Sequence, residues 1–299
     1  MKLSLVIPYW NGAEKIKKHL KGVIEIAKKN GIEEIIACDD ASTDETVKIL
    51  KNEFPEVILV ERKVNKGFSS NVNDGVTRAT GDLILLLNSD ADLEEGFLKF
   101  ALPHFEDNKV FSVGFYTGGS YAYANFKDGY FWHHQADVET TDLTKSHQTL
   151  WVSGGSGIFR KSMWDEMGGL DTLMDPFYGE DMDLGYRATK RGYLNIWEPR
   201  SKVKHYHEPG VISQNFSSSK ITDTAERNIL ILIWKNITDS KMLHDHKVAL
   251  IKRLIIHPKY WPIFLSALKR YPEIMKKRKI EKKKAKLTDK EIFSIFQES

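Results

Sequence analysis

The chain has 299 residues, with 44 Lys and Arg against 41 Asp and Glu, and Cys38 is its single cysteine. One cysteine excludes a disulfide framework and predicts a reducing, cytoplasmic setting, and no apolar run is as long as a membrane-spanning helix. The N-terminus begins directly with a strand pattern, so we expect no signal peptide. Residues 241–299 hold 16 basic and 6 acidic side chains. A basic tail on an acidic-to-neutral body predicts contact with an anionic partner.

The first third of the chain alternates strand and helix patterns. Apolar runs predict strands at 3–9, 34–38, 57–60 and 83–87, and helical spacing predicts helices at 14–29 and about 69–79. Ser42, with Glu45 three residues later, is typical of a helix N-cap. Strands that alternate with helices predict right-handed βαβ units. We therefore expect an α/β fold with a mostly parallel, nucleotide-binding sheet flanked by helices.

Beyond residue 92 the pattern changes. Residues 110–135 are rich in aromatic side chains and glycine, which favours antiparallel strands and loops. Further patterns predict strands at 151–159, 192–197 and 202–205, and a helix near 182–190. After about residue 222 the spacing is helical. The sequence thus predicts a domain at 1–221 and a helical, basic C-terminal extension at 222–299.

Asp90 and Asp92 directly follow the predicted strand at 83–87. In open α/β sheets, ligands bind beyond the carboxyl ends of the strands, and carboxylates there suit Mg²⁺ or Mn²⁺ together with substrate phosphates. Asp39 and Asp40 end the second strand and should lie on the same edge, where they can accept hydrogen bonds from a ribose or a base. Each pair has an alternative role, as the start of an ordinary turn. Together they indicate a metal-diphosphate site.

Glu180, Asp181 and Asp183 precede an apolar helical pattern. Acidic residues stabilise a helix N-terminus, and one of them can also serve as the general base for a hydroxyl that attacks the anomeric carbon of a nucleotide sugar. His205 ends a short strand and is a candidate third metal ligand, although a lone histidine is more often structural. If these groups meet the strand-end carboxylates, one site holds both a cation and a base.

The order of these motifs resembles glycosyltransferase family 2, the inverting GT-A fold group that includes bacterial glycan and rhamnosyl transferases. The matching runs are residues 4–12, 39–44, 65–68, 80–90, 152–157, 168–171, 179–184, 191–193 and 202–205, with Asn71 and Asn73. The resemblance implies a nucleotide-diphosphate sugar donor, a divalent cation (Mn²⁺ or Mg²⁺) and a single displacement that inverts the anomeric centre. One departure is Asn88-Ser89 before Asp90, in place of a run of acids.

The same resemblance implies a role for individual residues. The catalytic base would be Asp181, with Glu180 beside it, and the metal ligands would be Asp90, Asp92 and His205. The donor nucleotide would contact Pro8, Tyr9, Asn11, Asp39, Asp40, Asn65, Gly67, Phe68, Asn71, Ser89 and Asp90. The acceptor would contact Trp151, Gly154 and Gly155. About 1–95 would then be the nucleotide-sugar-binding half and 96–221 the acceptor-binding half, acting on a hydroxyl of a glycan or lipid-linked saccharide of the cell envelope.

The basic tail has two interpretations. Apolar residues at 247–271 are interleaved with Lys and Arg, and Pro258 and Pro262 should divide the segment into short helices. These helices either lie on the cytoplasmic face of an anionic membrane or pack on the catalytic domain with their lysines in solvent. We expect no nucleic acid partner, because lysine dominates and aromatic interleaving ends after Tyr271.

Two other functions fit the pattern less well. A sugar nucleotidyltransferase also uses a parallel sheet and a carboxylate-bound metal, but it should carry a glycine-rich, basic triphosphate loop after the first strand. Residues 9–12 contain no Arg and only one Gly. A nucleotide-sugar-binding scaffold that has lost catalysis is the second alternative, and the complete acidic set argues against it. The sequence therefore favours a glycosyltransferase.

Overall fold

The computed structural model describes residues 1–206 and 211–296 of the chain. Its strands are β1 (Leu3–Tyr9), β2 (Glu34–Asp39), β3 (Ile58–Glu61), β4 (Leu83–Leu87), β5 (Ala91–Leu93), β6 (Val110–Tyr116), β7 (Ala122–Lys127), β8 (Tyr130–Gln135), β9 (His147–Gln148), β10 (Ser156–Arg160) and β11 (Leu194–His205). Within the described residues, β7 and β8 form a hairpin and the other nine strands form one sheet.

Helices flank this sheet and make up nearly all of the C-terminal region. They are α1 (Ala13–Lys15), α2 (Lys21–Lys29), α3 (Thr46–Glu53), α4 (Phe68–Arg78), α5 (Lys161–Met167), α6 (Glu180–Lys190), α7 (Val211–Asn215), α8 (Ser218–Asn236), α9 (Ser240–Ile256), α10 (Trp261–Leu268), α11 (Tyr271–Lys284) and α12 (Asp289–Ser294). A π-helical turn, Ile16–Leu20, joins α1 to α2. The prediction of an α/β fold with a helical C-terminal extension is confirmed.

The sheet has the order β3-β2-β1-β4-β10-β6-β11-β5, with β9 added beside β11. Its first four strands are parallel, as predicted, and β4 is buried along its whole length. The second half is mixed, since β10 runs antiparallel to both β4 and β6, while β6 and β11 are parallel. The carboxyl ends of β1, β2 and β4 therefore lie on one edge, where the acidic pairs follow.

Three local predictions differ from the structure. Ser42 does not cap α3, which begins at Thr46, because its hydroxyl is donated to the Asp39 carboxylate. The strands predicted at 192–197 and 202–205 are one strand, β11, with a register shift between Glu198 and Lys202. The predicted domain boundary at 221/222 falls inside α8.

Apolar side chains form three clusters. One lies between one face of the sheet and the helices at 13–29, and a second lies on the opposite face beneath α4, α5 and α6. The third joins the hairpin and α6 to α8–α12, with Phe131 and Tyr186 packed among Leu230, Ile233 and Phe293. The C-terminal extension therefore shares a core with the sheet domain.

Ion pairs reinforce this shared core. Lys190 of α6 contacts Asp289 at 2.5 Å, and Arg191 contacts Glu281 at 2.6 Å. Asp171 accepts from Lys277 at 2.5 Å. Burial of the inner faces of α9 and α10 matches the packing interpretation of the tail. None of the helices in the described ranges is both long and apolar enough to cross a bilayer.

Candidate active site

Asp90 lies at the carboxyl end of β4, between a lysine and a histidine. Its Oδ2 accepts a hydrogen bond from Lys15 Nζ at 2.7 Å, and its Oδ1 lies 3.3 Å from His205 Nε2. The Tyr206 amide donates to the Asp90 carbonyl, so the end of β11 is tied to this strand end. Burial alone would raise the pKa of Asp90, but the hydrogen bonds and charges of His205 and Lys15 outweigh it and hold the pKa well below its usual range. The carboxylate is therefore ionised.

Asp92 does not join this pair. Its Oδ1 lies 2.9 Å from Nδ1 of the buried His19, which is part of the π-helical turn after α1. In residues 1–206 and 211–296, no group of three or more His, Cys, Asp or Glu side chains is placed to hold a metal ion. Of the three predicted metal ligands Asp90, Asp92 and His205, the structure thus brings only Asp90 and His205 together.

Asp90 and His205 nevertheless fit a hard divalent cation. Oδ1 and Nε2 converge closely enough to share one ion, and Asn88 Nδ2 lies 3.4 Å from the same histidine nitrogen. Mg²⁺ is usually held by one or two carboxylates, with water and substrate phosphates as its other ligands. Two protein ligands at the open edge of a sheet agree with that coordination.

Asp39 and Asp40 organise the loops beside the nucleotide edge. Asp40 accepts from the amides of Lys66 at 3.0 Å and Gly67 at 2.7 Å, and Asp39 accepts from the amide of Ser42 at 2.9 Å. Both side chains are buried, and burial raises the pKa of Asp39 despite its bonds to Ser42. The structure gives each aspartate a loop-holding role, and a contact with the nucleoside stays a prediction.

The other predicted donor residues surround these loops in different environments. Asn11 has φ +50° and accepts from the Thr43 amide at 2.8 Å, which joins the first loop to the second. Asn71 donates to the Cys38 carbonyl and is buried. Pro8 and Tyr9 are buried in β1, whereas Asn65 is exposed and Ser89 and Phe68 are half-buried. Asn11 is half-buried too, so exposure alone favours Asn11, Asn65, Phe68 and Ser89 for direct contact.

The predicted acceptor segment closes one side of the site. The Asn88 amide donates to the Gly155 carbonyl at 2.8 Å, and a Cβ at Gly155 would lie 2.3 Å from Asn88 Nδ2. A Cβ at Gly154 would contact the Phe68 ring at 3.3 Å. Trp151 packs against Gly185 of α6 and lies edge-on to the His133 ring. The two glycines thus allow this segment to approach the end of β4 and the start of α4 closely.

Asp175 links the two halves and was missed by the sequence analysis. Its carboxylate accepts from the Ser69 amide at 2.9 Å and the Ser70 hydroxyl at 2.5 Å, at the start of α4. Asn228 of α8 donates to the carbonyls of Phe177 and Tyr178. The only sequence signal was Asp before Pro, which indicates a turn and no partner. This segment positions the residues that follow it, Glu180 and Asp181.

Glu180 and Asp181 begin α6 in a buried setting. Burial raises the pKa of Glu180 to about 8, with a further increase from the Asp181 charge, and burial raises the pKa of Asp181 to about 6. Among the described residues, Glu180 Oε2 has no hydrogen-bond partner. Asp183 is different, because Arg187 and Lys235 both contact it and its pKa is lowered. Asp181 therefore has the properties of a base, and Asp183 those of a structural anion.

The sequence profile described as glycosyl transferase family 2 matches residues 4–167, more than half of the chain. The chain belongs to glycosyltransferase family 2. A poly(ribitol-phosphate) beta-glucosyltransferase of Bacillus spizizenii is 36% identical over 94 residues, which are 30% of this chain and 15% of that protein. Across several curated relatives, the chain spans 15 to 48% of their length.

Solved structures of glycosyltransferases share the fold. The crystal structure of GalNAc-T7 with UDP, GalNAc and Mn²⁺ has a TM-score of 0.65 at 16% identity and covers 87% of this chain and 57% of that one. The mannosyltransferase PcManGT from Pyrobaculum calidifontis, in complex with GDP-Man and Mn²⁺, has a TM-score of 0.56 at 16% identity and covers 95% and 85%. The GT-A type sheet with flanking helices that the family 2 resemblance implied is thereby confirmed.

Proposed function

We propose that this family 2 protein is an inverting glycosyltransferase that moves a sugar from a nucleotide-diphosphate donor to a hydroxyl of a glycan or lipid-linked saccharide. Two observations support the proposal: an ionised Asp90 lies beside His205, and the half-buried Asp181 has a pKa raised to about 6. Solved structures that hold UDP (GalNAc-T7) and GDP-Man (PcManGT) share the fold, which supports this donor class without selecting the nucleotide.

In this mechanism, Asp181 accepts the proton of the acceptor hydroxyl as its oxygen attacks the anomeric carbon. The bond from that carbon to the diphosphate breaks on the opposite face, so the configuration inverts. A divalent cation held by Asp90 and His205 would supply positive charge to the departing diphosphate. Phe68, packed against Gly154, would border both substrates. The loop anchored by Asp175 holds Asp181 in place.

We further propose that the chain works at the cytoplasmic face of an anionic membrane. The outer faces of α9 and α10 expose apolar side chains, among them Ile255 at 74% and Trp261 and Leu265 at 45% each. The neighbouring Lys252, Lys259 and Lys269 are exposed as well. Exposed apolar groups flanked by lysine suit a helix that lies in the headgroup region. A lipid-linked acceptor would be available at such a surface.

The base assignment is tested with Asp181→Asn, a nearly isosteric change that cannot accept the proton. We expect donor turnover, measured as release of UDP or GDP from a panel of their sugars with Mn²⁺, to fall by about 10²–10⁴-fold. Binding of the free nucleotide, measured by calorimetry, should be unchanged because the change does not touch the strand edge. A variant that turns over at the wild-type rate would remove the assignment. Nucleotide binding without turnover in the wild type would favour the scaffold alternative.

A further inference from the structure

The Lys15 ammonium group forms an ion pair with Asp90, the carboxylate that the proposed function assigns as a metal ligand. Its Nζ lies 2.7 Å from Asp90 Oδ2, and the two side chains are only 14% and 11% exposed. Lys15 directly precedes the π-helical turn and His19 lies within it. This one segment of chain therefore supplies a partner to each aspartate of the D-x-D. Both contacts come from the first helix, which no donor or metal assignment includes.

A cation that binds Asp90 has to compete with this ammonium group. Two positive charges on one carboxylate repel each other, and a half-buried site screens that repulsion poorly. Binding of a divalent cation therefore includes the cost of displacing Lys15 from Oδ2. The free protein should bind the cation weakly for that reason, whatever the quality of the Asp90 and His205 ligands.

A basic pocket beside the site offers the displaced group a new partner. A cavity of about 380 Å³ is lined by Glu14, Lys15, Lys17 and Lys18, so Lys15 borders the pocket as well as Asp90. The Lys18 ammonium lies 5.1 Å from the centre of the Tyr206 ring, directly after His205 in the chain. Three ammonium groups against one carboxylate make the pocket suitable for a diphosphate.

We propose that Lys15 is an internal counter-cation of Asp90. The divalent cation displaces Lys15 from Asp90, and the displaced ammonium group then pairs with the donor diphosphate. This rests on the proposed metal-dependent donor site and adds a coupling to it. Cation and nucleotide each remove part of the cost of binding the other, because the cation frees Lys15 and the diphosphate accepts it. The two ligands therefore bind with positive cooperativity beyond their direct contact.

The test compares Lys15→Met with Lys28→Met in the whole chain. Lys28 is an exposed lysine of α2 that pairs with Glu56 and does not line the basic pocket, so its substitution makes the same change in net charge without touching Asp90 or the diphosphate site. Mn²⁺ binding is measured by electron paramagnetic resonance, with and without UDP or GDP. Thermal melting checks that both variants are folded, and Lys15→Gln repeats the experiment should the methionine variant unfold.

We expect Lys15→Met to bind Mn²⁺ about fivefold more tightly than Lys28→Met in the absence of nucleotide. This ratio corresponds to ~1 kcal/mol, the size of one ion pair. The increase in Mn²⁺ affinity caused by the nucleotide should be smaller in Lys15→Met than in the wild type. Equal or weaker Mn²⁺ binding by Lys15→Met would overturn the role of Lys15 and leave the metal site standing. Absence of Mn²⁺ binding in every variant, with and without nucleotide, would overturn both.

Discussion

Glu180 and Asp181 are adjacent carboxyl groups whose pKa values are both raised. Burial is the main cause for each, and the charge of Asp181 raises the pKa of Glu180 further. A protonated Glu180 suits the burial of its Oε2 with no partner in the described part of the chain, since an unpaired charge there would be far more costly. Of the two carboxyl groups, Asp181 is the one that suits the proposed base.

The raised pKa of Asp181 predicts the pH dependence of turnover. Asp181 accepts a proton only when it is deprotonated, so kcat/KM should rise with pH through about 6 and then level off. Glu180→Gln should leave this limb in place, because burial raises the pKa of Asp181. The profile is measured from pH 4.5 to 8 with donor turnover as the readout. A flat profile between pH 5 and 7 would contradict the assignment of this base.

Sequence reasoning located the residues whose position in their own element is informative. Asp90 follows a buried strand and Asp181 begins a helix, and both patterns are visible in the sequence. Lys15, His19 and Asp175 were not found, because each acts on a residue 73 to 106 positions away and their own segments give no sign of it. Such partners depend on how elements pack.

At the scale of elements, the start of α4 and the loop before α6 meet at Gly67. This glycine has φ +105°, its neighbour Phe68 donates an amide hydrogen bond to the Pro176 carbonyl, and a Cβ at position 67 would lie 2.5 Å from Pro176 Cα. Asp175 binds the next two residues of the helix. This one contact therefore fixes both the loop before α4 and the loop that leads into α6.

Gly67→Ala should destabilise the protein more than Gly31→Ala. Gly31 has φ +76° but open space around its Cα, so alanine there meets backbone strain of about 1–2 kcal/mol and no clash. At Gly67 the same type of strain is joined by a clash with backbone, which adds about 1–3 kcal/mol. Urea unfolding midpoints measure the difference, and nucleotide affinity should fall only in Gly67→Ala. Equal costs at both sites would show that the loops adjust freely.

The strands and helices of the first third were predictable because their patterns are regular and locally bounded. The continuous β11 was not, since Pro199 interrupts the pattern and cannot donate a backbone hydrogen bond. The strand continues past this proline through a register shift against β6 and a new antiparallel partner, β5. It is this continuation that delivers His205 to Asp90. The neighbours of a strand can thus extend it beyond what its own sequence indicates.

At the scale of the molecule, α9 and α10 are apolar on two faces. Leu250, Leu254 and Ile263 face the shared core, while Ile255 and Leu265 are exposed. The sequence presented core packing and membrane contact as alternatives. The structure shows the packed face and leaves the outer face exposed, which is the face that the membrane proposal uses. Periodicity could not make this distinction, because both faces contribute to one apolar pattern.

Replacing Ile255 and Leu265 by serine should weaken membrane binding. Each apolar side chain removed should make the free energy of membrane binding less favourable by about 1.5–3 kcal/mol. Each neighbouring lysine contributes ~1 kcal/mol to binding of anionic lipid. We expect wild type to co-sediment with phosphatidylglycerol vesicles and less with phosphatidylcholine. Leu143→Ser, at an exposed leucine of a polar loop, is the control and should bind as the wild type does.

The membrane proposal would be contradicted if wild type and variant both showed negligible binding to both kinds of vesicle. Self-association of the wild type that is lost in the double serine variant would instead assign this face to a second copy of the chain. Point substitutions are needed because a truncation near Ser240 would leave Lys190 buried without Asp289 and would open the third apolar cluster.

The contacts of Lys190 with Asp289 and of Asp171 with Lys277 also limit how this protein can be recombined with its relatives. A chimera that exchanges the C-terminal helices alone would leave the buried Lys190 and the buried Asp171 without these partners, since one member of each pair belongs to the sheet domain. A workable exchange would have to carry residues from both sides of the junction. Natural variation in the C-terminal helices is then constrained by the sheet domain. The paired residues of the two regions should change together over evolution.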